Sequence, residues 1–151
     1  MGAGNYMQDY LMEVLGENRD NEEIFYTITD YANETVNVNG FDDLKNVEKK
    51  IFMISTYLTE VNNGGFDQYF LNTKGVYARD TADFLDYIGD DKFSRILDEA
   101  ISIFKAVISD DKKMREFDKL DNNFYDIGSD SYDFLYKRII EHFKNNLDYI
   151  K

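Results

Sequence analysis

The sequence predicts an all-α fold, and three observations carry that expectation. The 151 residues contain no Pro, so no residue forces a helix to stop for want of an N–H. Apolar residues recur every three or four positions through most of the chain, the period of a helix with one buried face. Hydrophobic residues make up 43% and aromatics 16%, enough to fill a core in spite of the charge. The expected architecture is a compact bundle of seven to eight helices in a single domain spanning 1–151.

In chain order, helices are expected over 5–17, 21–37, 43–61, 65–73, 75–88, 91–108, 111–120 and 129–149. The first places Met7, Tyr10, Leu11, Val14 and Leu15 on one side, and the second Ile24, Ile28, Tyr31 and Thr35. Leu44, Val47, Ile51, Ile54, Leu58 and Val61 form the core stripe of the third. The fifth turns Tyr77, Phe84, Leu85 and Ile88 inward. The sixth is the most regular, with Phe93, Ile96, Leu97, Ala100, Ile101, Phe104 and Ile108 on one stripe. The last carries Tyr132, Leu135, Ile139, Phe143, Leu147 and Ile150.

Charge is the strongest compositional signal. The formal net charge is −13, which disfavours direct binding to nucleic acid or an anionic membrane and favours a basic partner. The acids come in blocks: residues 1–43 hold ten against Arg19 alone, and residues 80–91 hold five Asp and no base. On a helix, Asp9, Glu13, Glu17 and Asp20 fall within roughly 80° of one another. Glu23, Asp30 and Glu34 form a second stripe, and Asp80, Asp83 and Asp86 line the outside of the fifth helix. Stacked like charges cost about 0.2–0.5 kcal/mol per pair, so such stripes are not explained by helix stability. A solvated face kept acidic for solubility is the bland reading; an acidic surface built to meet a basic one is the functional reading. Carboxylates four apart rise ~6 Å along a helix, similar to neighbouring phosphates on a DNA strand.

The stretch "EVNNGGFDQYFLNTKG", Glu60 to Gly75, interrupts the helical pattern. Asn62, Asn63, Gly64 and Gly65 read as a helix stop, because Gly and Asn accept left-handed backbone. Phe66, Tyr69 and Phe70 then begin a short buried helix, with Gln68 and Asn72 able to bond backbone groups freed at the corner. A phosphate loop would want a cation nearby, whereas Glu60 and Asp67 flank these glycines.

This stretch, with its continuation "VYARDTADFLDYIG" and the later "LDNNFYDI", resembles the bacterial domain family named after a DNA-mimic protein. The family's run N-G-G-F-x-Q-Y-F-x-N-x-x-G is matched by Asn63, Gly64, Gly65, Phe66, Gln68, Tyr69, Phe70, Asn72 and Gly75. Leu120, Asp121, Phe124 and Tyr125 resemble its second signature, and the likeness covers roughly residues 45–145. It leaves the acidic helices of 1–43 largely outside. The resemblance implies an all-helical fold and a DNA mimic, since the founding member is an acidic dimer occupying the DNA-binding surface of a transcription regulator. A homodimer is one assembly it implies.

Catalytic chemistry is thin. With no Cys and a single His, His142, there is no Cys nucleophile and no H-E-x-x-H or Cys-based zinc site. His142 reads as half-buried packing beside Phe143. "NVNGFDD" and "DNNFYDIGSD" lack the alternating ligands and the twelfth-position Glu of a calcium loop. No cofactor or metal is implied, and an enzyme is not expected. The absence of Cys, of a secretory signal and of a membrane-length apolar run points to the cytoplasm.

The function expected from these features is an acidic protein-binding protein, a DNA mimic acting as an inhibitor of a basic DNA-binding protein. That target could be a transcription regulator, a nucleoid protein or a defence nuclease or CRISPR effector. The partner-binding acids would be Asp9, Glu13, Glu17, Asp20, Glu23, Asp30, Glu34, Asp80, Asp83 and Asp86. The alternatives are an immunity protein or antitoxin neutralising a basic toxin, and a small-ligand binder or enzyme at the Gly-Gly corner. The last predicts that Asn63, Gln68 and Asn72 point into a cavity.

Overall fold

The computed structural model describes residues 13–16 and 19–145. Their regular structure is all-α, with no strand among the described residues. The elements are α1 (Asn21–Asn39), a 3-10 turn (Phe41–Asp43), α2 (Asn46–Thr73), α3 (Ala78–Tyr87), α4 (Asp91–Lys105), α5 (Asp110–Asp126) and α6 (Ser129–Asn145). Residues 13–16 form a further helical turn. No described helix is long and apolar enough to cross a membrane.

The described residues fall into two compact units: those up to Phe52 with those from Tyr132 onward, and Met53–Ser131. In the first unit α1 buries Ile24, Phe25, Ile28 and Ala32, and α6 buries Leu135, Tyr136, Ile139, Ile140 and Phe143. Phe25 packs on Tyr136 with ring centroids 4.5 Å apart. His142 is half-buried beside Phe143, as expected, and burial with Lys50 nearby holds its imidazole pKa down.

The second unit is organised by rings. Tyr57, Phe66, Phe93, Phe117 and Phe124 are essentially inaccessible, and Phe66 meets Phe124 edge-on at 6.0 Å. Phe70 lies between Phe104 and Phe117 in two stacked contacts of 4.4 and 5.6 Å. Hydrogen bonds set the register between helices: the Tyr57 hydroxyl donates to the Phe93 carbonyl at 3.2 Å, and Ser94 Oγ donates to the Ala82 carbonyl at 3.0 Å.

Several helix ends differ from the expectation, each for a local reason. The third expected helix begins at Asn46 instead of residue 43, because the Glu48 side chain accepts the Lys45 N–H at 2.7 Å and caps the helix there. The fifth begins at Ala78, because Lys74 and Gly75 take positive φ and make a turn. The sixth ends at Lys105, where Ala106 becomes extended. The seventh continues through "LDNNFYD" to Asp126, so this stretch is helix and not a loop.

Glu48 is 1% exposed, and its second carboxylate oxygen has no hydrogen-bond partner. Burial raises its pKa; the Lys45 N–H and charge oppose this. A carboxyl whose folded pKa lies above its unfolded value favours folding below the unfolded pKa, and that contribution is lost as pH rises through the folded one. Wild type should therefore gain stability relative to Glu48→Gln as pH falls from about 7 to about 4.5. Paired thermal melts across that range check it; a constant gap would contradict it.

Candidate functional site

The first of the expected acidic features is the exposed face of α1. Asp20 caps the helix, its Oδ1 accepting the Glu23 N–H at 2.8 Å. Glu22 and Glu23 lie in the first turn, where carboxylates interact favourably with the helix dipole. Asp30 and Glu34 lie beyond that turn, exposed, and the last turn carries no base. Among the described residues, none of Glu23, Asp30 and Glu34 is paired with a base. Glu13 is exposed in the turn at 13–16, while Asp9 and Glu17 lie outside the described residues. Asp20 does not continue a helix from Glu13: its backbone is extended and it opens α1. A short polar side chain ahead of an apolar run is a cap signal, and the i+11 spacing from Asp9 concealed it.

Asp80, Asp83 and Asp86 are all exposed on α3, as expected. This patch is partly neutralised. Arg79 Nε lies 3.2 Å from Asp83, and its guanidinium also holds Asp98 of α4. The Arg79–Asp83 pair is visible in the sequence as an i,i+4 spacing; the reach to Asp98 depends on how α3 and α4 pack.

The Gly-Gly corner breaks α2 into limbs covering 46–63 and 66–73, with Gly64 at φ −153° and Gly65 at φ 80°, ψ −177°. Chain ends created by the break are satisfied from α5. Asp121 Oδ1 accepts the Phe66 N–H at 2.8 Å, and the Tyr125 hydroxyl donates to the Val61 carbonyl at 3.0 Å. Burial raises the Asp121 pKa, opposed by the Phe66 N–H and reinforced by Asp118 and Asp67. A Cβ on Gly65 would meet Asp121 Cγ at 2.8 Å, so the glycine makes room for the carboxylate as well as for the turn. Phe66, Tyr69 and Phe70 are buried, and Asn62 donates to the Leu58 carbonyl at 2.8 Å.

The amides of this corner do something other than expected. Gln68 Nε2 and Asn72 Nδ2 both donate to Glu60 Oε2, at 2.9 and 2.8 Å, instead of to freed backbone. They tie the second limb to the first across the break. A side chain on Gly64 would collide with Gln68, whose Cβ would lie 2.8 Å away. Asn63 and Asn72 are exposed and Gln68 is half-exposed, so the corner is a polar staple between two limbs. The sequence marked Asp121 and Tyr125 as part of a second signature but not as anchors of this corner, because they lie 55 and 64 residues from the groups they bond.

The geometry thus defines an all-α chain whose two motif stretches meet at one corner and whose acids lie outside it on helix faces. The profile of the DMP19-like protein family matches residues 42–149, and the chain belongs to that family. No curated protein and no solved structure matches it. α1, which carries the unpaired acidic face, lies ahead of the matched span.

Proposed function

We propose that this protein is a DNA mimic, which occupies the nucleic-acid-binding surface of a basic DNA-handling protein and inhibits it. The observation that carries this reading is the α1 face: Glu23, Asp30 and Glu34 are exposed and unpaired among the described residues. Asp30 and Glu34 also do nothing for their own helix, since they stack as an unfavourable i,i+4 pair away from the N-terminus. Asp42 and Asp43 extend the exposed acids beyond α1. The family's resemblance to a DNA mimic supports the same reading. The α3 acids have a lesser part, because Arg79 neutralises some of their field. The protein acts without catalysis or cofactor, in the cytoplasm, and Glu13 belongs with the binding acids.

Electrostatic association of this kind is fast and salt-sensitive. The protein immobilised at low salt should capture a basic DNA-binding protein from a lysate of its source cell. Raising salt from about 0.05 M to about 0.5 M should release the bound protein, because the Debye length shrinks severalfold. The Glu23→Lys, Asp30→Lys, Glu34→Lys triple variant should fail to capture it. Equal capture by wild type and triple variant would count against the reading. One partner retained at every salt concentration would favour an immunity protein instead.

A further inference from the structure

Tyr26 is an exposed aromatic embedded in the α1 acids. It is 50% exposed, although burial of a tyrosine ring normally stabilises a fold. Four-residue spacing puts Glu22 one turn before it and Asp30 one turn after it, each about 40° around the helix to either side. The ring is held in place: its centroid is 5.7 Å from that of Phe25 and 6.0 Å from that of Tyr136 on α6. Its hydroxyl oxygen lies 3.4 Å from that of Tyr136. Tyr136 is in turn buttressed by Phe25 at 4.5 Å and Tyr132 at 6.4 Å. Burial, followed by the Tyr26 hydroxyl and then nearby charge including Glu22, pushes the Tyr136 phenol pKa up.

This chain already places cations over rings: Lys49 lies 5.3 Å from the Phe41 centroid and Arg138 lies 5.2 Å from that of Phe134. Among the described residues no cation lies over Tyr26. A fixed, half-open ring with a carboxylate one turn to each side complements a planar guanidinium. The ring takes its flat face, and the carboxylate of Glu22 or of Asp30 takes its N–H groups. Lysine, a compact and strongly hydrated point charge, gains less from the same arrangement.

We propose that Tyr26, with Glu22 and Asp30, is an arginine-reading site on the acidic face, which makes the protein select arginine over lysine on its basic partner. The proposal rests on the basic-partner reading and adds to it a specificity that charge alone does not provide. The test uses the full chain and two labelled decapeptides, one alternating Arg and Gly and one alternating Lys and Gly, titrated at low salt. Wild type should bind the Arg peptide about five-fold more tightly than the Lys peptide, the size of a cation–π contribution at an exposed site. Tyr26→Phe should keep that preference. Tyr26→Leu, which retains apolar bulk, should lose it, weakening the Arg peptide severalfold and the Lys peptide less. A preference that survives in Tyr26→Leu, or no preference in wild type, would overturn the site. The triple Lys variant separates the two ideas: if it binds both peptides as wild type does, the basic-partner reading fails. If it loses both while Tyr26→Leu keeps the Arg preference, only the Tyr26 site fails.

Discussion

Replacing Gly65 by Ala is expected to destabilise the protein by about 2–5 kcal/mol, the sum of backbone strain and overpacking. The backbone at φ 80°, ψ −177° belongs to a region open almost only to glycine. The added Cβ would also press on the Asp121 carboxylate, the group that accepts the Phe66 N–H. Relief requires Asp121 to withdraw and leave that N–H unsatisfied, so one penalty is exchanged for another. For a chain of this length the melting temperature should fall on the order of 10 °C. Gly128→Ala is the control: it shares positive φ, at 83°, but a Cβ there meets nothing within 4 Å. Thermal melts of the two variants should differ clearly. If they drop equally, the close approach of Asp121 contributes nothing.

Phe124→Ala should cost about 3–5 kcal/mol, the range for deleting a fully buried aromatic ring. Phe124 is 0% exposed, and its ring contacts those of Tyr57, Phe66 and Phe93 at 5.5, 6.0 and 5.5 Å. These three residues come from both limbs of α2 and from α4, so the deletion empties the place where the Gly-Gly corner is fastened to α5. Asp121 and Tyr125, three residues before it and one after, hold the same corner by hydrogen bonds. Loosening α5 should weaken those bonds too. The denaturation midpoint should therefore fall without loss of the acidic face on α1, which belongs to the other unit. A loss below about 1 kcal/mol would show that the site collapses around the missing ring.

Much of this architecture was legible because it follows from local chemistry. The stripe Leu44, Val47, Ile51, Ile54, Leu58 and Val61 is buried at every position, since a 3.6-residue period leaves one face for apolar groups. The stop at Gly64 and Gly65 was legible for the same reason, as few residues other than glycine take the positive φ found at Gly65. What escaped was the set of partners contributed by distant sequence. Gln68 and Asn72 were expected to cap backbone, yet Asp121 and Tyr125 do that, leaving the amides to Glu60. α5 was expected to end near residue 120; its last turns, with exposed Asn122 and Asn123, have weak local preference and are held by Phe124 and Tyr125. The α1 stripe was legible from spacing, whereas Arg79 reaching Asp98 was not. The exposed Tyr26 carried no signal until α6 placed Tyr136 against it.

The central claim is that the protein and DNA compete for one surface on a basic partner. The most direct measurement loads the captured partner with a fluorescent duplex and titrates in this protein at fixed salt, following anisotropy of the DNA. Wild type should release the duplex completely, and the Glu23→Lys, Asp30→Lys, Glu34→Lys variant should not. A stable complex holding partner, duplex and wild type together, or equal release by the triple variant, would contradict the claim.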